Sequence, residues 1–275
     1  MSMLIYQKLK TQQRMTKLFA AIGFICSLCM ILTVNAEQIN AETETPIETV
    51  HIKVSSEHEF ALVADYHPGA KRSGGVIVLH DCKNDRRRYK KVATSLTEQG
   101  LHTLLVDLRG YGESVAEGFS RQQIKKNALN IVSYQSEMAL LTTYWQNDLL
   151  AAYQFLRSKL SANKGISMVA SGCSSAYAVA LAEKVLLNSM VLITPKMTYS
   201  DKERYKNLID IPSYFITSFR HQDSYQAAQE LFAWNGAKQS KMQVFKGDSY
   251  TYQLINRKKS LIADVAHWII PTLEN

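Results

Sequence analysis

Gly74-Gly75-Val76-Ile77-Val78-Leu79-His80-Asp81 and Leu105-Val106-Asp107-Leu108-Arg109-Gly110-Tyr111-Gly112-Glu113-Ser114 are the stretches that decide how this chain folds. Each opens with a short, continuous apolar run, the pattern of a parallel strand buried on both faces. Each then breaks into polar residues and, in the second, glycines. Gly110 and Gly112 permit a tight turn beyond the strand, and Asp107 and Arg109 are placed to lock that turn by hydrogen bonds.

Similar apolar runs recur at Val76–Leu79, Thr103–Val106, Ile166–Ala170, Met190–Thr194, Tyr214–Thr217 and Met242–Phe245. Helical stretches alternate with them at Trp145–Leu160, Tyr177–Leu186, Ser224–Trp234 and Leu261–Leu273; in the first, Leu149, Ala152, Tyr153, Leu156 and Leu160 share one face. Strands alternating with helices at this spacing predict an α/β, doubly wound, mostly parallel sheet. Extended segments at Val50–Val54 and Phe60–Tyr66, flanking Ser55-Ser56-Glu57-His58, add an N-terminal antiparallel hairpin. Residues 115–144 are the longest connection, expected to be partly helical and to cover the sheet's carboxyl edge. No internal repeat or second domain is evident.

The chain has 275 residues. Its first 36 carry Lys8, Lys10, Arg14 and Lys17, no acidic residue, and an apolar run from Leu18 to Val34 ending in Val34-Asn35-Ala36. This predicts a signal peptide over 1–36 cleaved after Ala36, with Met15 as an alternative start and an uncleaved signal anchor as the rival reading. Residues 37–48 read as a flexible leader and 49–275 as a single domain. The formal charge is +8; without the four basic residues of the first segment, 28 Lys and Arg face 24 Asp and Glu, a net +4. Such a balance gives no support to nucleic-acid binding. The run Arg86-Arg87-Arg88-Tyr89-Lys90-Lys91 reads as a solvated helix start, with anion binding near a pocket mouth as its alternative.

The two opening stretches together closely resemble the α/β-hydrolase superfamily, in its small esterase and dienelactone-hydrolase branch. There an apolar strand ends in His-Gly, a helix follows, and the next strand runs into Asp-x-Arg-Gly-x-Gly-x-Ser. The resemblance continues through Asp148-Leu149-Leu150-Ala151-Ala152, Met190–Thr194 and Ile211-Pro212, and covers nearly all of Val50–Leu273. It implies the α/β-hydrolase fold. It also implies a nucleophile on a strained strand-to-helix turn of pattern small-x-Ser-x-Gly, followed in sequence by the acid and the histidine.

At that turn this chain reads Val169-Ala170-Ser171-Gly172-Cys173-Ser174-Ser175-Ala176. Pairing Ala170 and Ser174 with the flanking small positions puts Gly172 at the nucleophile. Ala176, Ala178, Ala180 and Ala182 then follow the small-residue pattern of the next helix. Shifting by one makes Cys173 the nucleophile, as dienelactone hydrolases use cysteine. Ser171, Ser174 and Ser175 each need a further departure. Asp223, in Asp-Ser-Tyr, takes the acid position, or serves as an N-cap for the helix from Ser224. Tyr250 stands where the histidine belongs, and a phenol of ordinary pKa near 10 is a poor general base. His267 reads as a helix residue, His221 as a group able to reach the pocket, and His80 as a structural tie.

The resemblance makes the main-chain N–H groups of Cys82 and Cys173 the oxyanion-hole positions. Two readings remain open: a Cys82–Cys173 disulfide stapling the loop to the turn, or two buried free thiols. The leading expectation is an exported (secreted or periplasmic) protein lacking ordinary serine-hydrolase activity, with a binding or accessory role. The rival is an ester or thioester hydrolase using Cys173 with Asp223 and His221. No cofactor and no metal are expected. The partner would be an unidentified small molecule or protein, with a membrane involved only if the N-terminal segment stays uncleaved.

Overall fold

A computed structural model of the chain describes residues 46–54 and 60–274. The expected signal segment, most of the leader and the turn at 55–58 lie outside the described residues. Eight strands form one sheet: β1 (Glu48–Lys53), β2 (Ala61–His67), β3 (Gly75–Leu79), β4 (His102–Val106), β5 (Ile166–Ser171), β6 (Ser189–Ile193), β7 (Ser213–Ser218) and β8 (Lys241–Phe245). Their order is β1-β2-β4-β3-β5-β6-β7-β8. The pairs β1–β2 and β2–β4 are antiparallel and all the others parallel, as expected.

Side chains alternate between faces along each strand, so a strand apolar at every position feeds two cores. Ile77 and Leu79 enter one core with Leu104, Val106, Met168 and Ala170. Val76 and Val78 enter the other with Leu105, Val169, Val191 and Ile216. The first core is closed by α4 (Trp145–Lys159), α5 (Ser174–Ala182) and α7 (Gln222–Trp234), the second by α1 (Lys90–Glu98), α8 (Tyr252–Arg257) and α9 (Lys259–Ile269). Every residue of β3 to β7 is buried. β8 departs from that expectation: as the edge strand it is only partly buried.

Of three expectations from the sequence, two need correction and one, the partly helical connection 115–144, holds. The helix placed at Tyr177–Leu186 starts at Ser174, directly at the turn after β5, and ends at Ala182. There the Lys184 N–H bonds the Leu181 carbonyl at 2.8 Å, an i−3 bond that closes the last turn. The connection 115–144 is two helices, α2 (Arg121–Asn127) and α3 (Ile131–Thr143), capped by the Ser120 and Asn130 side chains. The third concerns the basic run. Arg86 is buried and is part of a charged knot, whereas Arg87, Arg88, Lys90 and Lys91 are exposed.

That knot is built on the turn after β4. The Asp107 carboxylate accepts the Arg86 N–H at 2.8 Å, the Glu113 N–H at 2.9 Å and a guanidinium N–H of Arg86. Arg86 also pairs with Asp65 at 3.1 Å and Glu113 at 2.8 Å. At Gly112, φ is +53°, and an added Cβ would lie 2.0 Å from the Asp107 carboxylate, so only glycine fits. Arg109 does not lock its own turn as anticipated. It crosses to α4 and binds Asp148 through two N–H donors at 3.0 and 2.6 Å, both side chains being wholly buried. Its plane packs against Phe60, Tyr144 and Phe119 at 4.0, 4.6 and 4.8 Å.

Breaking one side of a buried ion pair leaves the other charge without compensation. Asp148→Ala should therefore lower the unfolding free energy by about 3–5 kcal/mol in a urea titration. A loss of less than about 1 kcal/mol is what an exposed pair would give, and would contradict the burial of Arg109.

Candidate functional site

From β3 the chain crosses to β4 on one side, and β5 lies on the other side of β3. In an open parallel sheet, the carboxyl ends of strands at such a reversal leave a crevice where ligands bind. Here the residues bordering that crevice are Cys82, beyond β3, and Cys173, beyond β5. They form a disulfide with a Cα–Cα distance of 5.9 Å and a sequence separation of 91. Of the two readings of these cysteines, the structure has the bridge. Beside it opens a cleft of about 460 Å³, bordered by Asp81, Lys83, Tyr177, Lys196, Met197 and Tyr250 among others.

The turn from β5 into α5 places Gly172 at its apex with φ +57°, a backbone that side chains rarely adopt. Its N–H bonds the Ile193 carbonyl at 2.9 Å, and its own carbonyl accepts the Lys196 N–H at 3.0 Å. An added Cβ would sit 3.2 Å from the Tyr250 hydroxyl, 3.2 Å from Asp81 Cβ and 3.2 Å from Thr251 Cγ2. The space a nucleophile's side chain would need is thus already bounded by other groups. The nearby serines are sealed: Ser174 Oγ accepts the Ser171 N–H at 2.9 Å and donates to the Ser171 carbonyl at 3.0 Å, and Ser171 and Ser175 are fully buried.

Tyr250 reaches Gly172 from the loop after β8. Burial, together with the charges of Asp81 and Asp223, pushes its pKa above 10.0, against hydrogen bonds with Ser224 and Thr194 that pull it down. His221 does not border the cleft: its ring lies 4.8 Å from the Tyr250 ring, and its Nε2 is 2.6 Å from the Asp248 carbonyl oxygen. Asp223 is exposed in the first turn of α7 and acts on Tyr250 only as a charge through space. It is not an N-cap, since His221 holds that position. His267 is exposed on α9. His80 is wholly buried: Nε2 accepts the Leu108 N–H at 3.0 Å, so Nδ1 carries the proton and donates to the Asp81 carbonyl at 2.7 Å.

Sequence reasoning passed over three groups. Asp81 stands where the resemblance has glycine, and its carboxylate accepts the Lys83 N–H at 2.6 Å, two Asn84 contacts at 3.0 Å and the Tyr89 hydroxyl at 3.3 Å. The departure from His-Gly was its visible signal. Thr194 and Thr251 have φ +44° and +47°, and the Thr251 N–H donates to Thr194 Oγ1 at 3.1 Å. Nothing in their sequence context announces that strain. Among the described residues, no cluster of His, Cys, Asp and Glu has the makings of a metal site.

A mostly parallel sheet, an antiparallel N-terminal pair and a cleft at the strand reversal define a class of α/β protein. Within it, the chain carries the α/β-hydrolase fold, in the form found in dienelactone hydrolase and small esterases. A dienelactone hydrolase from Anabaena variabilis shares 15% identity at a TM-score of 0.63, covering 84% of this chain and 99% of its own. An esterase from Pyrococcus furiosus shares 15% at 0.60, covering 83% and 92%. Est1E from Butyrivibrio proteoclasticus shares 12% at 0.56, covering 82% and 98%. No protein-family model matches the chain, and no curated protein matches it.

Two measurements check this geometry. Unfolded without reductant, the protein should leave both Cys82 and Cys173 unreactive toward a maleimide and, after reduction, expose both; labelling of both without reductant would mean the bridge is absent. Burial holds the His80 pKa below 6.5, and His67 and His102 shift the same way. The unfolded chain then takes up protons that the folded one refuses, so stability is full above pH 6.5 and falls as pH drops below it. His80→Gln should lose less stability than wild type on that acidification. An equal loss would mean that the ring titrates normally.

Proposed function

We propose that this chain is an exported α/β-hydrolase-fold protein without ordinary serine-hydrolase activity, acting as a binding or accessory protein through the cleft beside the bridge. The observation that carries this reading is Gly172 at the apex of the turn, with the Tyr250 hydroxyl 3.2 Å from where its Cβ would be. In this reading Gly172, Asp223 and Tyr250 occupy the nucleophile, acid and histidine positions of the family, and Cys82 and Cys173 the oxyanion-hole positions. Acyl transfer needs a nucleophile, a base near its working pH and donors for the developing oxyanion. Glycine supplies no nucleophile, a tyrosine of raised pKa is no base at neutral pH, and the Asp81 carboxylate beside them opposes a second negative charge.

The rival hydrolase built on Cys173 loses its nucleophile to the disulfide. Its candidate base, His221, already has Nε2 on the Asp248 carbonyl. The similar folds of a dienelactone hydrolase and of esterases do not weigh against this, because one fold hosts many functions. Export is supported by the basic and apolar pattern of residues 1–36 and by the disulfide, a bond that persists in oxidising compartments. The proposed division is a signal peptide over 1–36, a leader over 37–48 and the domain over 49–275. Among the described residues, no helix is long and apolar enough to cross a membrane.

With p-nitrophenyl acetate, the protein should show no turnover above the buffer rate, with or without reductant. Turnover in the reduced protein that vanishes in Cys173→Ala would overturn the proposal. Gly172→Ser should stay inactive as well, because no imidazole stands behind the new hydroxyl; measurable hydrolysis by that variant would show that Tyr250 or His221 works as a base. Mass spectrometry of the mature chain should place its N-terminus at Glu37.

A further inference from the structure

We propose that the Cys82–Cys173 bridge is redox-active: a small thiol carrying a carboxylate enters the cleft, attacks Cys82 and expels Cys173 as a thiolate. Both half-cystines border the cleft, and neither is fully buried. A disulfide used only to staple a core has no need to face a cavity large enough for a small molecule. This one lies across the crevice between β3 and β5, where ligands of such sheets bind.

The two sulfurs are not equivalent, and the difference sets the direction of attack. Cys173 is the N-cap of α5, a helix of nine residues, so its sulfur sits at the positive end of the helix dipole. A thiolate there is stabilised, and a thiol of lowered pKa is the better leaving group. Asp81 precedes Cys82 in sequence and packs against Gly172, which precedes Cys173, so its charge does not tell the two sulfurs apart and the helix terminus does. Lys83 and Lys196 border the same cleft, and among the described residues neither ammonium has an ion-pair partner. Asp81 and Asp201 are the acids on that border, and Lys83, Lys196 and Arg204 outnumber them, so the border as a whole is positive. The entrance thus favours an anionic thiol.

The step balances without a further reagent. The incoming thiolate forms a sulfur–sulfur bond with Cys82 as the Cys82–Cys173 bond breaks, and the electron pair leaves on Cys173. A second thiolate attacks the sulfur of the first thiol in that mixed disulfide and releases Cys82, which takes a proton from water. Two thiols become one disulfide, and each protein chain gains two electrons, once.

The test uses the oxidised full chain in its native state with reduced glutathione, quenched by acid, alkylated and mapped by peptide mass. Opening in the folded protein, with glutathione on Cys82 and Cys173 free, is expected. Opening only after denaturation, or glutathione on Cys173 with Cys82 free, would overturn the inference. Glutathione should outpace neutral 2-mercaptoethanol by roughly threefold or more at low salt, each rate scaled to the unfolded protein, with the preference fading as salt rises. No preference would overturn the anionic class of thiol. In folded Cys82→Ser, the alkylation rate of Cys173 should report a pKa below the ordinary value of about 8.5; a value at or above it would remove Cys173 as the leaving group. Ester turnover plays no part in these readouts, so this inference and the proposed function fail separately.

Discussion

The buried charge of Asp107 is the constraint from which the site's framework follows. A carboxylate without water must find donors, and here they come from Arg86 and from the Glu113 N–H, while the Arg86 guanidinium also donates to the carboxylates of Asp65 and Glu113. That requirement draws the loop after β3, which carries Asp81 and Cys82, against the turn after β4. The same turn sends Arg109 to Asp148 on α4, while the Trp145 indole N–H bonds the Arg109 carbonyl at 3.1 Å. The Val63 N–H donates to Ser114 Oγ, whose hydroxyl donates to the Asp107 carbonyl, so the antiparallel β2 is tied in as well. The Tyr111 hydroxyl of the same turn donates to the Cys82 carbonyl at 3.0 Å, tying down the loop on which Cys82 meets Cys173.

Much of the framework was legible because it depends on local pattern. Continuous apolar runs marked β3 to β7 correctly, since a strand covered on both faces has no room for polar alternation. The order of the strands was not legible, as no periodicity states which neighbour a strand takes. Arg86 was misread for a physical reason: in a run of five cations and a tyrosine, nothing local tells which cation will meet a buried carboxylate 21 residues away. The bridge was legible only because a register placed two cysteines at facing positions. The tilted contact of His221 with Tyr250, and Asp223 turning outward, depend on how the chain leaves β7, which composition does not encode.

At the turn after β5, glycine changes the energetics as well as the chemistry. A side chain at φ +57° carries strain that glycine does not, so Gly172 removes a cost that a nucleophile there would impose. The disulfide adds to this. Closing a loop of 91 residues restricts the unfolded chain and stabilises the fold by about 4–5 kcal/mol in the chain-entropy account. Both features favour the stability of the fold at this turn.

The residues around Gly172 carry strain of their own. Thr194 and Thr251, both β-branched, keep positive φ angles within sight of Gly172 and hold each other by a hydrogen bond. Such conformations cost about 1–3 kcal/mol each and persist only where the structure around them over-determines them. A site drifting without a role would be free to replace either threonine with glycine or to let its loop rotate. The strained pair holds the Tyr250 loop against Gly172, where Tyr250 borders the cleft. That is a reason to seek a role for this protein in what the cleft holds and in the sulfur chemistry beside it.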